Sequence, residues 1–525
     1  MAFDIVIKGG TIFDGSGASR YAADVAIQGG RIKDIAPDIS ERGATKVIRA
    51  DGKFVAPGFV DITSHADKNW SLFENPHQDY LLTQGVTTIL AGNCGTSLAP
   101  LPSKEAVAAL QKWVTAAGTN INWLTVGELL EELARHPLGV NAATLMGHGT
   151  IRRGILKGQS RALSPEELAQ FGEIIQAGIR EGAFGLSTGL IYSHESAAST
   201  EELIEMASHI SAAGGILKMH LRHEGQNLVP AVNEAVRIAR ESKVPMIISH
   251  LKAIGRRIWP FFGRTLEMLE RASANGLPLH FDISPYQRTG SFLYLLLPAW
   301  AREGGFSAML ERLDSPEHRS AIIEELKAET LHFENYVIAN SQTPGTNGKT
   351  ILEIAERSGQ EPEETALELL AANRGKVAVF GLTLSFRNIM AGLAHPLAVV
   401  ASDGSGVTAE LARSEKLVHP RSTGAFPHFL HRFVKERGLL SWEEGIRKIT
   451  GLPAEAIGLK DRGRIAKNFA ADIVVFDAET IRDRSTYQNP YVYSIGIDAV
   501  MVNGQLAIEN GQLTGATAGQ VLKKS

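Results

Sequence analysis

One cysteine, Cys94, stands in a chain of 525 residues. No disulfide can close within such a chain, so a reducing, cytoplasmic setting is expected. Long apolar runs are missing too. No stretch approaches the roughly 20 apolar residues that a bilayer-spanning helix needs. The start, Met1-Ala-Phe-Asp-Ile-Val-Ile-Lys-Gly-Gly, carries an acidic residue at once and too short an apolar run for a signal peptide. Nor is there an excess of positive charge: 53 Lys and Arg face 57 Asp and Glu, a net charge of -4. A nucleic-acid or anionic-membrane partner, which favours a basic surface, is therefore not expected. The 52 glycines are scattered along the chain, not gathered into a linker.

What is present is ordinary globular composition, 44% hydrophobic and 21% charged. The length suits a large barrel with an accessory module. Both ends read as β-structure. Asp4 to Lys8, Thr11 to Phe13, Ala23 to Gln28, Arg31 to Ile35 and Lys46 to Arg49 are strand-like, with Gly9-Gly10, Gly29-Gly30 and Asp51-Gly52 as turn signals. Ala471 to Asp477, Ala499 to Val502 and Gln505 to Ile508 repeat that texture around Asn503-Gly504. Residues 1–57 and 465–525 are thus expected to form one small β-sandwich domain closed by both termini.

Between them, residues 58–464 alternate short apolar runs with amphipathic helices. Strands are expected at 58–62, 86–91, 140–146, 184–187, 216–219, 245–249, 278–283 and 397–402. Helices are expected at 165–178, 200–213 and 228–241, the first opened by a Ser164/Glu167 capping box. Eight such repeats predict an α/β fold, a (β/α)8 TIM-like barrel. The long gap between the seventh and eighth strands, about 291–336, reads as a mostly helical inserted subdomain over the active-site face.

The reactive side chains register with those strands. Asp61, Thr63 and His65 follow strand one, Cys94 strand two and His148 strand three; His220 ends strand five, His250 strand six and Asp403 strand eight. All fall at carboxyl ends, the catalytic face of this fold. A cysteine, two histidines and a carboxylate on separate strands fit a catalytic zinc site with three protein ligands and one position left to water. Zinc lowers the pKa of that water and polarises a carbonyl, and a carboxylate then takes and returns the proton. Singly, each residue has a plainer explanation: a buried cysteine is usually a small hydrophobe, and Ser402-Asp403-Gly-Ser-Gly is a turn. A cysteine nucleophile with a histidine base is a further alternative.

The same positions carry a family likeness. Pro57-Gly-Phe-Val-Asp61-Ile-Thr-Ser-His65 is similar to the Pro-Gly-Phe-Ile-Asp-x-His-x-His opening of the amidohydrolase superfamily. Gly92-Asn-Cys94-Gly-Thr-Ser-Leu-Ala-Pro-Leu101 and Gly147-His148-Gly-Thr-Ile-Arg152 resemble its D-aminoacylase (N-acyl-D-amino-acid deacylase) branch. So do His220-Leu-Arg222-His-Glu224-Gly, Ile248-Ser-His250-Leu-Lys252-Ala and His419-Pro-Arg421-Ser-Thr-Gly. The resemblance implies that Cys94 replaces the carboxylated lysine of strand four as metal ligand, and Phe184-Gly-Leu-Ser187-Thr indeed lacks that lysine. It implies a tightly bound zinc on Cys94, His220 and His250, with His65 as an additional metal residue and Asp403 as general acid/base. It places Lys252 and Arg421 on the substrate carboxylate, a task suited to arginine's fork, and Tyr286, His148 and Arg222 also at the substrate. Thr63 departs from the family's first histidine, so a second metal position is expected to be weak or empty. The expected substrate is a small N-acylated D-amino acid. The alternatives are a cyclic-amide hydrolase of the hydantoinase or dihydroorotase kind and a metal-poor barrel that binds without turnover. Arg288, just past strand seven, points either to an acidic side chain on the substrate or simply to solvent.

Overall fold

The computed structural model describes residues 3–104, 106–107, 121–192, 194–329 and 331–524. Its centre is a parallel barrel whose strands are β1 (Phe59–Asp61), β2 (Val86–Ala91), β3 (Asn141–Thr144, resumed at Met146–Gly147), β4 (Gly185–Gly189), β5 (Ile216–His220), β6 (Met246–Ile248), β7 (Leu279–Ile283) and β8 (Ala398–Val400). Each strand from β1 to β8 pairs in parallel with the next, β3 changing ladders where Leu145 interrupts it. Past the ends of β1 and β8 the ring closes through a parallel bridge of His65 to Ser405 and through Ser402, which donates its backbone N–H to Asp61 Oδ1 at 3.0 Å and its hydroxyl to Asp61 Oδ2 at 2.5 Å. The expected helices form as Pro165–Glu181, Thr200–Ala212 and Leu228–Ser242, and the Ser164/Glu167 capping box is present.

The barrel interior is layered, because alternate residues of a strand share a face. On β5, Ile216, Lys218 and His220 rise in that order. Ile216 belongs to an apolar floor with Val60, Leu90, Phe184, Ile247 and Val399, sealed from below by Leu452, Ile457 and Leu522. Above it Lys218 is fully buried. Its Nζ donates to Ile62 O at 2.6 Å and Thr63 Oγ1 at 2.5 Å and pairs with Asp282 Oδ2 at 3.0 Å. His220 stands above that polar layer. Burying each large apolar side chain of such a floor contributes about 1.5–3 kcal/mol, which is what carries the cost of a charged layer above it.

The terminal strands join in one nine-stranded sheet, not two separately bonded ones; Phe54–Pro57 of the N-terminal part pairs antiparallel with Ile473–Phe476 of the C-terminal part. Gly9-Gly10 is not a turn. The strand runs unbroken from Ile5 to Ile12, and its register against Tyr21–Gln28 shifts between Ile7 and Gly10, so the glycines form a bulge. The last residues leave the sheet for the barrel: Ala518 and Val521 bridge to Leu138 and Ala142 beside β3.

The insertion also differs from its expected outline. Helices occupy Gly305–Asp314 and Pro316–Ala328, but they pack on a three-stranded antiparallel sheet of Arg288–Phe292, Ala378–Leu382 and Tyr336–Asn340. The unit therefore extends to Leu382, and it has a core of its own around Leu293, Leu313, Ile338, Leu367 and Val379. Its central strand lies far along the chain from its first, which is why local periodicity stops short of it.

Candidate metal centre and active site

The turn after β2 brings Cys94 to the mouth of the barrel. Ser187 of β4 clamps that turn, donating its hydroxyl to Gly92 O at 2.5 Å and accepting the Gly95 N–H at 3.0 Å. Asn93 braces it from the other side through bonds to Ser64 O and Leu90 O. Gly95 has φ +76°, and a Cβ there would sit 1.9 Å from Glu195 Oε1, so no other residue fits. Cys94, His250 and Asp403 themselves hold left-handed backbone conformations, with φ of 54°, 37° and 52°. Such conformations in residues other than glycine cost about 1–3 kcal/mol each and gather where function over-determines geometry.

These residues converge. Ligand atoms of Cys94, His220 and His250 lie within 4.8 Å of one another, as do those of His65, Cys94 and Asp403, and all are buried. Cys94 Sγ is 3.4 Å from His250 Nε2 and 3.7 Å from His65 Nε2. Asp403 Oδ1 is 3.2 Å from His65 Nε2, and Oδ2 is 2.8 Å from the Arg421 guanidinium. Neither ring nitrogen of His220 has a hydrogen bond, although both are buried. A thiolate with two imidazoles is a donor set suited to zinc, and the orphaned His220 nitrogens are what a ligand awaiting its ion leaves behind. Thr63 is not offered to a metal, since its hydroxyl accepts from Lys218.

Electrostatics favour the charged forms. Burial pushes the Cys94 thiol up, yet the His250 charge and the imidazoles of His220, His250 and His65 hold it well below its ordinary value. Burial also opposes ionisation of Asp403, but Arg421, His250 and His65 hold it well below the usual carboxylate range. Against burial and Lys252, the Cys94 and Asp403 charges raise His250 to about 10. Glu224, a member of the His220-Leu-Arg222-His-Glu224 motif not expected at the site, stands behind both His220 and His250. Its Oε1 is 3.4 Å from His220 Nε2, 3.2 Å from His250 Nδ1 and 2.6 Å from Lys252 Nζ. An acidic residue behind a ligating imidazole fixes its tautomer and orientation. Asp282 fixes the backbone there, accepting the main-chain N–H of His250 at 2.7 Å.

Beside the cluster opens a cleft, about 450 Å³ with its open mouth included, whose wall includes His250, Lys252, Tyr286, Arg288, Asp403 and Arg421. Tyr286 is stacked on His428 at 4.4 Å, and burial, then the nearby Asp483 carboxylate, push its hydroxyl pKa well above the ordinary value. Two expected substrate residues lie elsewhere. His148 is fully buried behind the Cys94 turn, its Nδ1 2.6 Å from Glu195 Oε2 and its Nε2 3.9 Å from Glu202. Glu195 also accepts the Gly189 N–H at 2.7 Å, so this pair braces the turn instead of facing the cavity. Arg222 is held by Glu234 at 2.9 Å and by the carbonyls of Ser196 and Ala198. Its motif neighbours, not Arg222 itself, meet at the metal cluster.

Known proteins are similar to this chain over nearly its whole length. The amidohydrolase family profile matches residues 46–508. The D-aminoacylase of Alcaligenes xylosoxydans xylosoxydans is 33% identical over 526 residues, covering 100% of this chain and 98% of that protein. The N-acyl-D-aspartate deacylase of the same organism is 33% identical, covering 99% and 95%. Among solved structures, an N-acyl-D-glutamate deacylase from Bordetella bronchiseptica, complexed with zinc and a phosphonate mimic of the tetrahedral intermediate, superposes with a TM-score of 0.84. It is 29% identical and covers 100% of both chains.

Proposed function

The chain belongs to the amidohydrolase family, and from that premise we propose that it is a zinc-dependent hydrolase of N-acyl-D-amino acids, holding one zinc on Cys94, His220 and His250. The observation that carries this is the buried thiol and two imidazoles converging beside Asp403, at the mouth of a cavity walled by Lys252 and Arg421. The whole-length likeness to D-aminoacylase and N-acyl-D-aspartate deacylase supports the substrate class.

A zinc ion in this donor set supplies a Lewis acid and a water of lowered pKa. The chain's own residues do the rest. Arg421 fixes one oxygen of Asp403 and, having five donors, also reaches toward the substrate carboxylate with Lys252. Asp403, held ionised, takes a proton from the attacking water as the new C–O bond forms. It returns that proton to the nitrogen as the C–N bond breaks, giving a D-amino acid and a carboxylic acid. Tyr286, in the cavity wall, meets the substrate. His65 orients Asp403 across the thiolate.

The test is zinc content together with turnover of N-acetyl-D- and L-amino acids and of hydantoins. Near one zinc per chain with turnover of the D-forms is expected. Asp403→Ala should keep its zinc and lose roughly 10²–10⁴-fold in kcat, while Cys94→Ala should lose the zinc. Wild-type turnover in both variants would sink the mechanism, and turnover of hydantoins alone would replace it with cyclic-amide hydrolysis.

A further inference from the structure

Three basic side chains wall the cavity: Lys252, Arg288 and Arg421. Two are matched inside the protein, Lys252 by Glu224 at 2.6 Å and Arg421 by Asp403 at 2.8 Å. Arg288 is not; among the described residues no carboxylate pairs with it. It is nevertheless held in place. One guanidinium nitrogen donates to Asn335 O at 2.9 Å, and the head lies over the Tyr487 ring, 5.4 Å from its centroid. Its backbone is fixed as well, paired with Leu382 in the inserted sheet, while its carbonyl accepts from His419 Nε2 at 2.9 Å. His419 records the local field: burial, then Arg421, and also Arg288, hold its pKa well below the ordinary value. A half-buried guanidinium that no carboxylate compensates, on a residue lining a cavity, is a site for an anion.

Resting on the deacylase reading above, we propose that Arg288 selects N-acyl-D-amino acids that carry a second carboxylate. Lys252 and Arg421 take the α-carboxylate, and Arg288 takes the other one. That second carboxylate has two sources with the same chemistry: an acidic side chain, as in N-acetyl-D-glutamate, or a dicarboxylic acyl group, as in N-succinyl-D-leucine. Lys252, Arg421 and Arg288 bring three positive charges to the cavity wall against the carboxylates of Glu224 and Asp403. A monocarboxylate substrate leaves Arg288 facing an uncharged group.

Steady-state kinetics of the zinc-loaded full-length protein test this with four substrates: N-acetyl-D-glutamate, N-acetyl-D-glutamine, N-acetyl-D-leucine and N-succinyl-D-leucine. A charge-assisted pair predicts that one dicarboxylate exceeds its neutral counterpart by about 10- to 100-fold in kcat/KM. Preference for the glutamate form places the second carboxylate in the side chain, and preference for the succinyl form places it in the acyl group; either supports the proposal. Arg288→Gln should collapse that ratio, chiefly through KM, and Arg288→Lys should keep part of it, retaining the charge without the fork. Equal rates on neutral and dicarboxylate substrates would overturn the proposal while leaving the deacylase reading intact. So would an Arg288→Gln variant that loses the same factor on all four, which would make Arg288 a ligand of the α-carboxylate. No turnover of any N-acyl-D-amino acid would instead overturn the deacylase reading itself. The wild-type ratio needs no variant, so a poorly folding Arg288→Gln protein leaves the test decisive.

Discussion

Lys218→Met tests whether the buried ammonium under the proposed metal ligands holds the site together. Methionine nearly matches the length of lysine and fills its apolar path, so the change removes the charge and little else. Lost with it are the bonds to Ile62 O and Thr63 Oγ1 and the ion pair to Asp282. Asp282 is then buried without its cation, while its other oxygen still accepts the backbone N–H of His250. Asp61 suffers too: burial raises its pKa, and Lys218 is one of the groups opposing that rise. Breaking a buried pair from one side costs about 3–5 kcal/mol, roughly 10²- to 10⁴-fold in the folding equilibrium. Urea unfolding of the metal-free protein reads this cost directly, and competition with a chromophoric chelator reads the accompanying loss of zinc affinity. The double variant Lys218→Met/Asp282→Asn supplies the control. Asparagine keeps an acceptor for the His250 N–H but carries no charge, so much of the lost stability should return. A cost below about 1 kcal/mol for Lys218→Met would refute the reasoning. Strict additivity in the double variant would do the same, because residues that act as a pair must couple.

Two more outcomes follow from buried charge. Glu224→Gln should lower zinc affinity about 10- to 100-fold, since the carboxylate behind His220 and His250 is what orients them; unchanged affinity by chelator competition would contradict this. Lys448 is buried against the carbonyls of His395 and Ala398, and burial, opposed by Glu444, lowers its pKa to about 8. Between about pH 8 and 10.5 the unfolded chain binds a proton that the folded one does not, so this lysine makes stability rise with pH across that window, by about 3 kcal/mol. Lys448→Met should abolish the rise in urea unfolding measured across the window, and a rise that persists would show that other groups cause it.

The barrel was legible because strand and helix periods are local properties: the runs at 86–91 and 216–219 and the capped helix after Ser164 announce themselves within a few residues. The convergence of the proposed metal ligands was legible for a related reason. In a parallel barrel every strand ends at the same face, so the order of strands alone puts Cys94, His220, His250 and Asp403 at one mouth. Tertiary structure alone decided what depends on closure. Lys218 reads as a polar break in a strand until the ring brings Thr63 of one edge and Asp282 of the other against it. His148 shares the register of the ligands, yet Glu195 draws it behind the Cys94 turn. Arg288 was equally compatible with solvent until its strand paired with Ala378–Leu382 and set it in the cavity wall. Side-chain pattern along the chain determines which face a residue takes; which partner waits there is set by segments tens to hundreds of residues away, and only the folded chain brings those together.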